Sequence, residues 1–204
     1  MDSEPRIIAI SGISGVGKST ISSILMKYLP SNTILIRQDD YYLQDKPKYT
    51  LSNGVVVKNW DTIDAIDWTR LNSDLLSLRY KENIVLLEGF CLRNDLLAII
   101  PDLHIHLSYL SSEKVEDILD ALKVEPVYGL QGLKLHSQIT ASRAQSKPNV
   151  KNDDQVVAEL VMPFYEETLR NTNIDYVVHT FIGDTRVPAD LVANRVYRLI
   201  KNNS

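Results

Sequence analysis

The octapeptide Gly12-Ile13-Ser14-Gly15-Val16-Gly17-Lys18-Ser19 fits the phosphate-loop pattern G-x-x-x-x-G-K-[ST], and its flanks decide the fold. Ahead of it runs an apolar segment, Ile7-Ile8-Ala9-Ile10, and behind it a helical one, Thr20 to Leu29. A strand that ends in a glycine loop and opens a helix turns several backbone N–H groups into one concavity. That concavity and the helix N-terminus bind phosphate. Gly12, Ser14, Gly15, Val16, Gly17, Lys18, Ser19 and Thr20 are therefore expected to cradle the phosphates of a nucleotide. Lys18 would reach the outer phosphates, and the Ser19 hydroxyl would bind Mg²⁺.

Outward from the loop, short β-branched runs alternate with helical patterns, the signature of a parallel sheet with crossover helices. Strands are expected at Arg6–Ser11, Thr33–Gln38, Asn83–Glu88, Leu103–Ser108 and Asp175–His179, each nearly all apolar, as in strands buried on both faces. Helices are expected over 18–29, 67–80, 112–123, 153–171 and 188–201. Two stretches read as irregular. Residues 43–58 hold the turn signals Lys46-Pro47-Lys48 and Ser52-Asn53-Gly54. Residues 124–152 hold Gly129, Gly132 and Ser146-Lys147-Pro148-Asn149. Excursions of this kind are either surface loops or flaps and lids over a site.

The 204 residues suffice for one α/β domain, and 44% hydrophobic with 24% charged residues is ordinary for a globular protein. A net charge of −4 gives no basic footprint for nucleic acid or membrane surfaces. The single cysteine, Cys91, excludes an intrachain disulfide. The acidic N-terminus lacks a signal-peptide pattern, and no apolar run is long enough to span a membrane, so a cytoplasmic protein is expected. Monomer and homodimer both stay open.

Ligands of an open parallel sheet bind at the carboxyl ends of its strands. Gln38-Asp39-Asp40-Tyr41-Tyr42 ends the second strand there, so Asp39 or Asp40 can accept a proton from a substrate hydroxyl, or both can cap a turn. Leu86-Leu87-Glu88-Gly89-Phe90 ends the third, and Glu88 is a candidate for the Mg²⁺ shell. Asn59-Trp60-Asp61 reads equally as core packing with a helix cap or as an aromatic plate beside a carboxylate. Arg143 and Lys147 in the second irregular stretch are candidates for charge stabilisation during phosphoryl transfer. His104 and His106, alternating on a strand, are expected to pack or face solvent rather than bind metal. No Asn-Lys-x-Asp guanine motif occurs, which weighs against a GTPase.

These motifs in this order resemble the nicotinamide riboside kinases, a branch of the uridine-kinase-like P-loop metabolite kinases. The resemblance runs through Gly12–Thr20, 38–42, 59–67 and 86–90, with Val161-Met162-Pro163-Phe164-Tyr165 similar to a late helix motif. It implies a P-loop NTPase fold with a five-stranded parallel sheet flanked by helices on both faces, a substrate flap at 43–60 and a lid at about 124–152. It also implies a single domain over 1–204 that transfers phosphate from ATP, with Mg²⁺, to a ribosyl 5′-hydroxyl. By matching position, Asp39 would be the general base, Trp60 would stack on the base, Asp61 would bind the ribose hydroxyls, and Tyr42 would be a further substrate-binding residue. Ser19 and Glu88 would serve Mg²⁺, and Arg143 would be the lid arginine. Ser112–Lys123 carries no arginine, unlike the arginine-rich lids of these kinases. The short span from Asp61 to the third strand favours nicotinamide riboside over uridine. Another metabolite acceptor, or a nucleotide-binding protein with weak or lost catalysis, remains the alternative.

Overall fold

The computed structural model describes residues 6–78, 84–110, 153–182 and 185–203. Along the chain run β1 (Arg6–Ser11), α1 (Lys18–Leu25), β2 (Thr33–Arg37), β3 (Lys48–Thr50), β4 (Val56–Lys58), α2 (Trp68–Leu78), β5 (Ile84–Gly89) and β6 (Leu103–Leu110). There follow α3 (Asp153–Val156), a π turn (Val157–Val161), α4 (Met162–Arg170), β7 (Tyr176–Ile182), β8 (Thr185–Arg186) and α5 (Ala189–Asn202). The main sheet has the order β2-β5-β1-β6-β7-β8. The first five are parallel, and β8 closes the edge antiparallel to β7.

β1 lies in the middle, and its side chains alternate between two cores. Ile8 and Ile10 join Ile21 and Leu25 of α1, Phe164 and Tyr165 of α4 and Val196 and Ile200 of α5. Ile7 and Ala9 join Ile36, Leu71, Leu75 and Leu87 on the α2 face. A strand buried on both faces has no polar side to offer, which is why β1 reads as continuous apolar sequence. Each isoleucine of β1 contributes about 1.5–3 kcal/mol relative to exposure.

All five expected sheet strands are present, with ends displaced by a few residues. The helix expected over 153–171 is interrupted by the π turn, and that expected over 18–29 ends regular α geometry at Leu25. The stretch read as irregular at 43–58 contains a hairpin, β3 paired with β4, whose turn uses Gly54 at φ +83°. A polar clasp holds its tip to the segment leading into α4. Ser52 N–H and Oγ–H donate to Glu159, and Asn53 Nδ2 donates to Gln155 Oε1 at 2.6 Å. The expected helix at 112–123 and the lid stretch 124–152, with Arg143 and Lys147, lie outside the described residues.

Candidate active site

The phosphate loop joins β1 to α1 under tight steric control. Gly12 has φ +149°, and a Cβ there would stand 2.5 Å from the carbonyl oxygen of Leu107 on β6 and 2.9 Å from Val16 Cγ1. Gly17, at φ +106°, caps α1 in the left-handed region that glycine enters without penalty. No side chain caps this helix and its first turn holds no acidic residue, so its N–H groups and positive dipole end are left for an anion. Lys18 folds back along the loop, its Nζ donating to Ile13 O at 3.1 Å.

Ser19 and Glu88 meet at the carboxyl end of the sheet, where the Ser19 hydroxyl donates to Glu88 Oε1. Glu88 is only 3% exposed, and its other oxygen, Oε2, is buried without a hydrogen-bond partner. Arg37, its register partner on β2, approaches that oxygen at 3.9 Å. A buried carboxylate oxygen left without a donor, beside a hydroxyl at the mouth of a phosphate loop, is a donor set suited to a hard divalent cation. Mg²⁺ prefers one or two such oxygens and keeps the rest of its shell for water and phosphate.

Asp39 stands beyond the end of β2, in a 3₁₀ turn over Gln38–Tyr41 whose side chains supply no cap. The turn is fixed from below. Gln38 is fully buried, accepts from the amides of Phe90 and Cys91 at 2.9 and 3.0 Å and donates to Cys91 O at 2.5 Å. This ties the ends of β2 and β5 together, and a Cβ on Gly89 would strike the Gln38 side chain at 2.8 Å. From the side, Arg70 of α2 donates to Asp40 O and lies over the Tyr41 ring, while the Tyr41 hydroxyl donates to Asp74 at 2.8 Å. Asp39 and Asp40 themselves stay exposed.

Residues 41–43 run antiparallel to 65–67, through Leu43 N to Ala65 O at 2.9 Å and Asp67 N to Tyr41 O at 2.8 Å. The pairing sets Tyr42 edge-on to Trp60, with ring centroids 5.3 Å apart. Trp60 is 45% exposed and takes no part in either core, which disposes of the core-packing alternative. The cap on α2 comes from Asp67, whose carboxylate accepts from Arg70 N, and not from Asp61. Burial lifts the Asp61 carboxyl to about 6. Burial, then the negative charges of Asp61 and Asp39, push the Tyr42 phenol well above its ordinary value, so these three side chains share one electrostatic neighbourhood. Lys46 lies over the Trp60 face, its Nζ 3.7 Å from the ring centroid.

Two histidines sit beneath the phosphate loop. The Ser11 hydroxyl lies 2.7 Å from His104 Nε2 and 2.8 Å from His106 Nδ1, and His106 Nε2 lies 2.6 Å from the Tyr165 hydroxyl of α4. His104 Nδ1 is buried with no hydrogen-bond partner. A bare lone pair costs less there than a bare N–H, so His104 carries its proton on Nε2 and donates to Ser11. Burial holds His104 down to about 4. It holds His106 down to about 3, with the neighbouring charges of His104, Lys18 and His179 adding to the effect. Among the described residues no His/Cys/Asp/Glu group forms a metal cluster, and both histidines pack as neutral core polar groups.

Sequence reading missed three cations. Arg37 lies beside Glu88, Lys46 lies on Trp60, and Arg186 of β8 brings Nη2 to within 3.2 Å of where a Cβ on Gly17 would stand. The parallel register of β2 with β5 could have flagged Arg37, since it is the last strand residue before the Asp39 motif. Arg186 comes to the loop only through the antiparallel return of β8.

No family model matches the chain. It is 25% identical to a uridine kinase of Ligilactobacillus salivarius, over 98% of this chain and 96% of that one. It is 34% identical to human nicotinamide riboside kinase 1 over 33% of this chain, and 30% identical to the Eremothecium gossypii nicotinamide riboside kinase over 36%. The matched part spans 32% and 30% of the length of those two proteins. Shikimate kinase from Acinetobacter baumannii superposes with a TM-score of 0.52 at 19% identity, covering 100% of this chain and 96% of that one. The chain has the P-loop kinase fold. At low identity it is similar to enzymes of the uridine-kinase and nicotinamide-riboside-kinase type, phosphotransferases that act on hydroxyl groups.

Proposed function

We propose that this chain transfers the γ-phosphoryl group of ATP to the 5′-hydroxyl of a nucleoside in the cytoplasm. The observation that carries this is the convergence at one sheet edge of two half-sites. One is the phosphate loop with the Ser19–Glu88 pair, and the other is the Asp39, Tyr42, Trp60 and Asp61 group. In this reading Lys18 swings from Ile13 O onto the outer phosphates, and the loop amides bind the inner ones. Ser19 and Glu88 hold Mg²⁺, which when bound neutralises phosphate charge. Asp39 accepts the proton of the attacking hydroxyl, Trp60 and Tyr42 hold the base, and ionised Asp61 accepts from the ribose hydroxyls. Arg143 is the proposed lid cation. Arg186, at the loop mouth, is available to share that work.

The sequence motifs point to nicotinamide riboside as acceptor. A second reading, a pyrimidine nucleoside, is supported by the uridine-kinase relative that aligns along nearly the whole chain. Incubating the protein with Mg²⁺-ATP and nicotinamide riboside, uridine, cytidine or no acceptor, with products read by mass, tests both. Asp39→Ala should lower turnover by about 10²–10⁴-fold while leaving ATP affinity within about twofold. Turnover that survives this change removes Asp39 as the base, and ATP binding with no phosphorylated nucleoside removes the kinase reading.

A further inference from the structure

Arg37 is the last residue of β2, and β2 is an edge strand of the main sheet. Side chains alternate along a strand. Leu35 packs on the α1 side of the sheet and Leu86 lies in the same core. Arg37 and Glu88, each two residues further on and paired in register, therefore project from that face, where α1 begins with Lys18 and Ser19. The Arg37 side chain is 41% exposed, and its Nε stands 3.9 Å from Glu88 Oε2, too far for a hydrogen bond. That oxygen accepts no hydrogen bond, and among the described residues the guanidinium donates none. An ion pair this long and this exposed adds little to stability. The fastening of β2 to β5 is done one residue on, by the hydrogen bonds of Gln38. Arg37 thus meets Glu88 as a loosely held positive charge, at the one carboxylate oxygen that the Ser19 hydroxyl leaves open.

A divalent ion approaching Oε2 by itself meets the guanidinium at close range, and like charges so placed repel strongly where water is partly excluded. A divalent ion arriving with a nucleotide brings phosphate charges that offset the repulsion. A nucleotide arriving without metal meets a Glu88 already neutralised by its neighbour. Asp39 and Asp40 stand exposed at the same edge, so Arg37 governs the oxygen it faces and not the charge of the whole edge. We propose that Arg37 is the resident counter-ion of the metal carboxylate: it excludes free divalent metal from the Ser19–Glu88 pair and admits metal together with nucleotide. This rests on the nucleotide half of the proposed function and assigns it a further specificity-determining residue.

Mn²⁺ serves as the probe, because electron paramagnetic resonance counts the free ion directly. Titrations of the purified chain with Mn²⁺ alone, with ATP in EDTA, and with both ligands give three dissociation constants. Removing the counter-ion shifts the first two in opposite directions. Arg37→Met should bind Mn²⁺ alone about tenfold or more tightly than the native chain, and metal-free ATP about tenfold more weakly. Arg37→Lys keeps the charge and should hold both constants within about threefold of native. Glu88→Gln added to Arg37→Met should cancel the gain in Mn²⁺ affinity. A merely structural role would weaken both ligands together. Mn²⁺ binding that Arg37→Met weakens or leaves unchanged therefore overturns the proposal alone. A gain that persists in the double variant places the ion elsewhere and overturns it too. A native chain that binds ATP neither with nor without Mn²⁺ overturns the nucleotide reading and this one with it. Far-UV circular dichroism checks that Arg37→Met is folded, and Arg37→Gln takes its place in the same titrations if it is not.

Discussion

Lowering the pH from 7.5 to 5.0 should destabilise this fold by about 2.5 kcal/mol, and the loss traces to the two histidines beneath the phosphate loop. Both are held well below the ordinary imidazole value, to about 4 and about 3. A histidine depressed in the folded state costs no stability above its unfolded value near 6.5. Below that, the unfolded chain binds protons that the folded chain refuses, and stability falls by about 1.4 kcal/mol per pH unit until the folded value is reached. At pH 5.0 each histidine has withdrawn about 2 kcal/mol, together about 4. Asp61 works in the opposite direction. Its folded value of about 6 lies above the unfolded one, so the folded state gains protons first and recovers about 1.4 kcal/mol by pH 5.0. Urea unfolding followed by circular dichroism at both pH values measures the net loss. His106→Gln should reduce the pH-dependent loss by about 2 kcal/mol whatever it does to stability at pH 7.5. His104 or His106 resonances that titrate near 6.5 in the folded protein, or an unaltered pH dependence in His106→Gln, would refute the reasoning.

Glu88→Gln should keep the hydrogen bond from Ser19 but remove the anion, weakening Mg²⁺-dependent ATP binding by about tenfold or more, as calorimetry with and without Mg²⁺ would register. Asp61→Asn should abolish the improvement in nucleoside KM expected as pH rises through about 6, because the amide cannot ionise; steady-state KM at pH 5.5 and 7.5 decides this. Gly12→Ala should cost about 2 kcal/mol or more in thermal unfolding and impair ATP binding, since its Cβ would meet the immobile Leu107 carbonyl oxygen at 2.5 Å as well as Val16 Cγ1 at 2.9 Å. Arg186→Ala should weaken ATP binding about tenfold without changing stability by more than about 0.5 kcal/mol, measured by titration and by urea unfolding.

What could be read from sequence here was local. β1, the loop and α1 form one continuous stretch, and its glycines declare their own backbone angles, so its position in the fold was legible. Asp39 and Glu88 were legible because strand ends in a parallel sheet share one edge. Trp60 was ambiguous, because only the antiparallel run of 41–43 against 65–67 decides whether the indole is covered. Spacing put His104 and His106 on one face of β6, yet their partners come from β1 and from α4, distant in the chain. The same holds for Lys46 and Arg186, whose settings depend on a turn and on a two-residue strand that carry no periodicity. Arg143 and Lys147 fall outside the described residues, so their part in the site rests on sequence.

The π turn at Val157–Val161 sets the phase between two halves of a single rod. Below it, Phe164 and Tyr165 are committed to the sheet. Above it Gln155, and within it Glu159, grip the hairpin tip. Each helical residue turns the direction of a side chain by about 100°, so the surplus residue of a π turn rotates everything on its amino side by that angle against the buried part. Deleting one residue there would regularise the helix and keep Phe164 and Tyr165 on the sheet, but shift the buried Leu160 and Val161 and swing the grip away from Ser52 and Asn53. The chain thus holds a point where a single codon's loss would release the polar clasp on the hairpin tip without a change to Ser52, Asn53, Gln155 or Glu159.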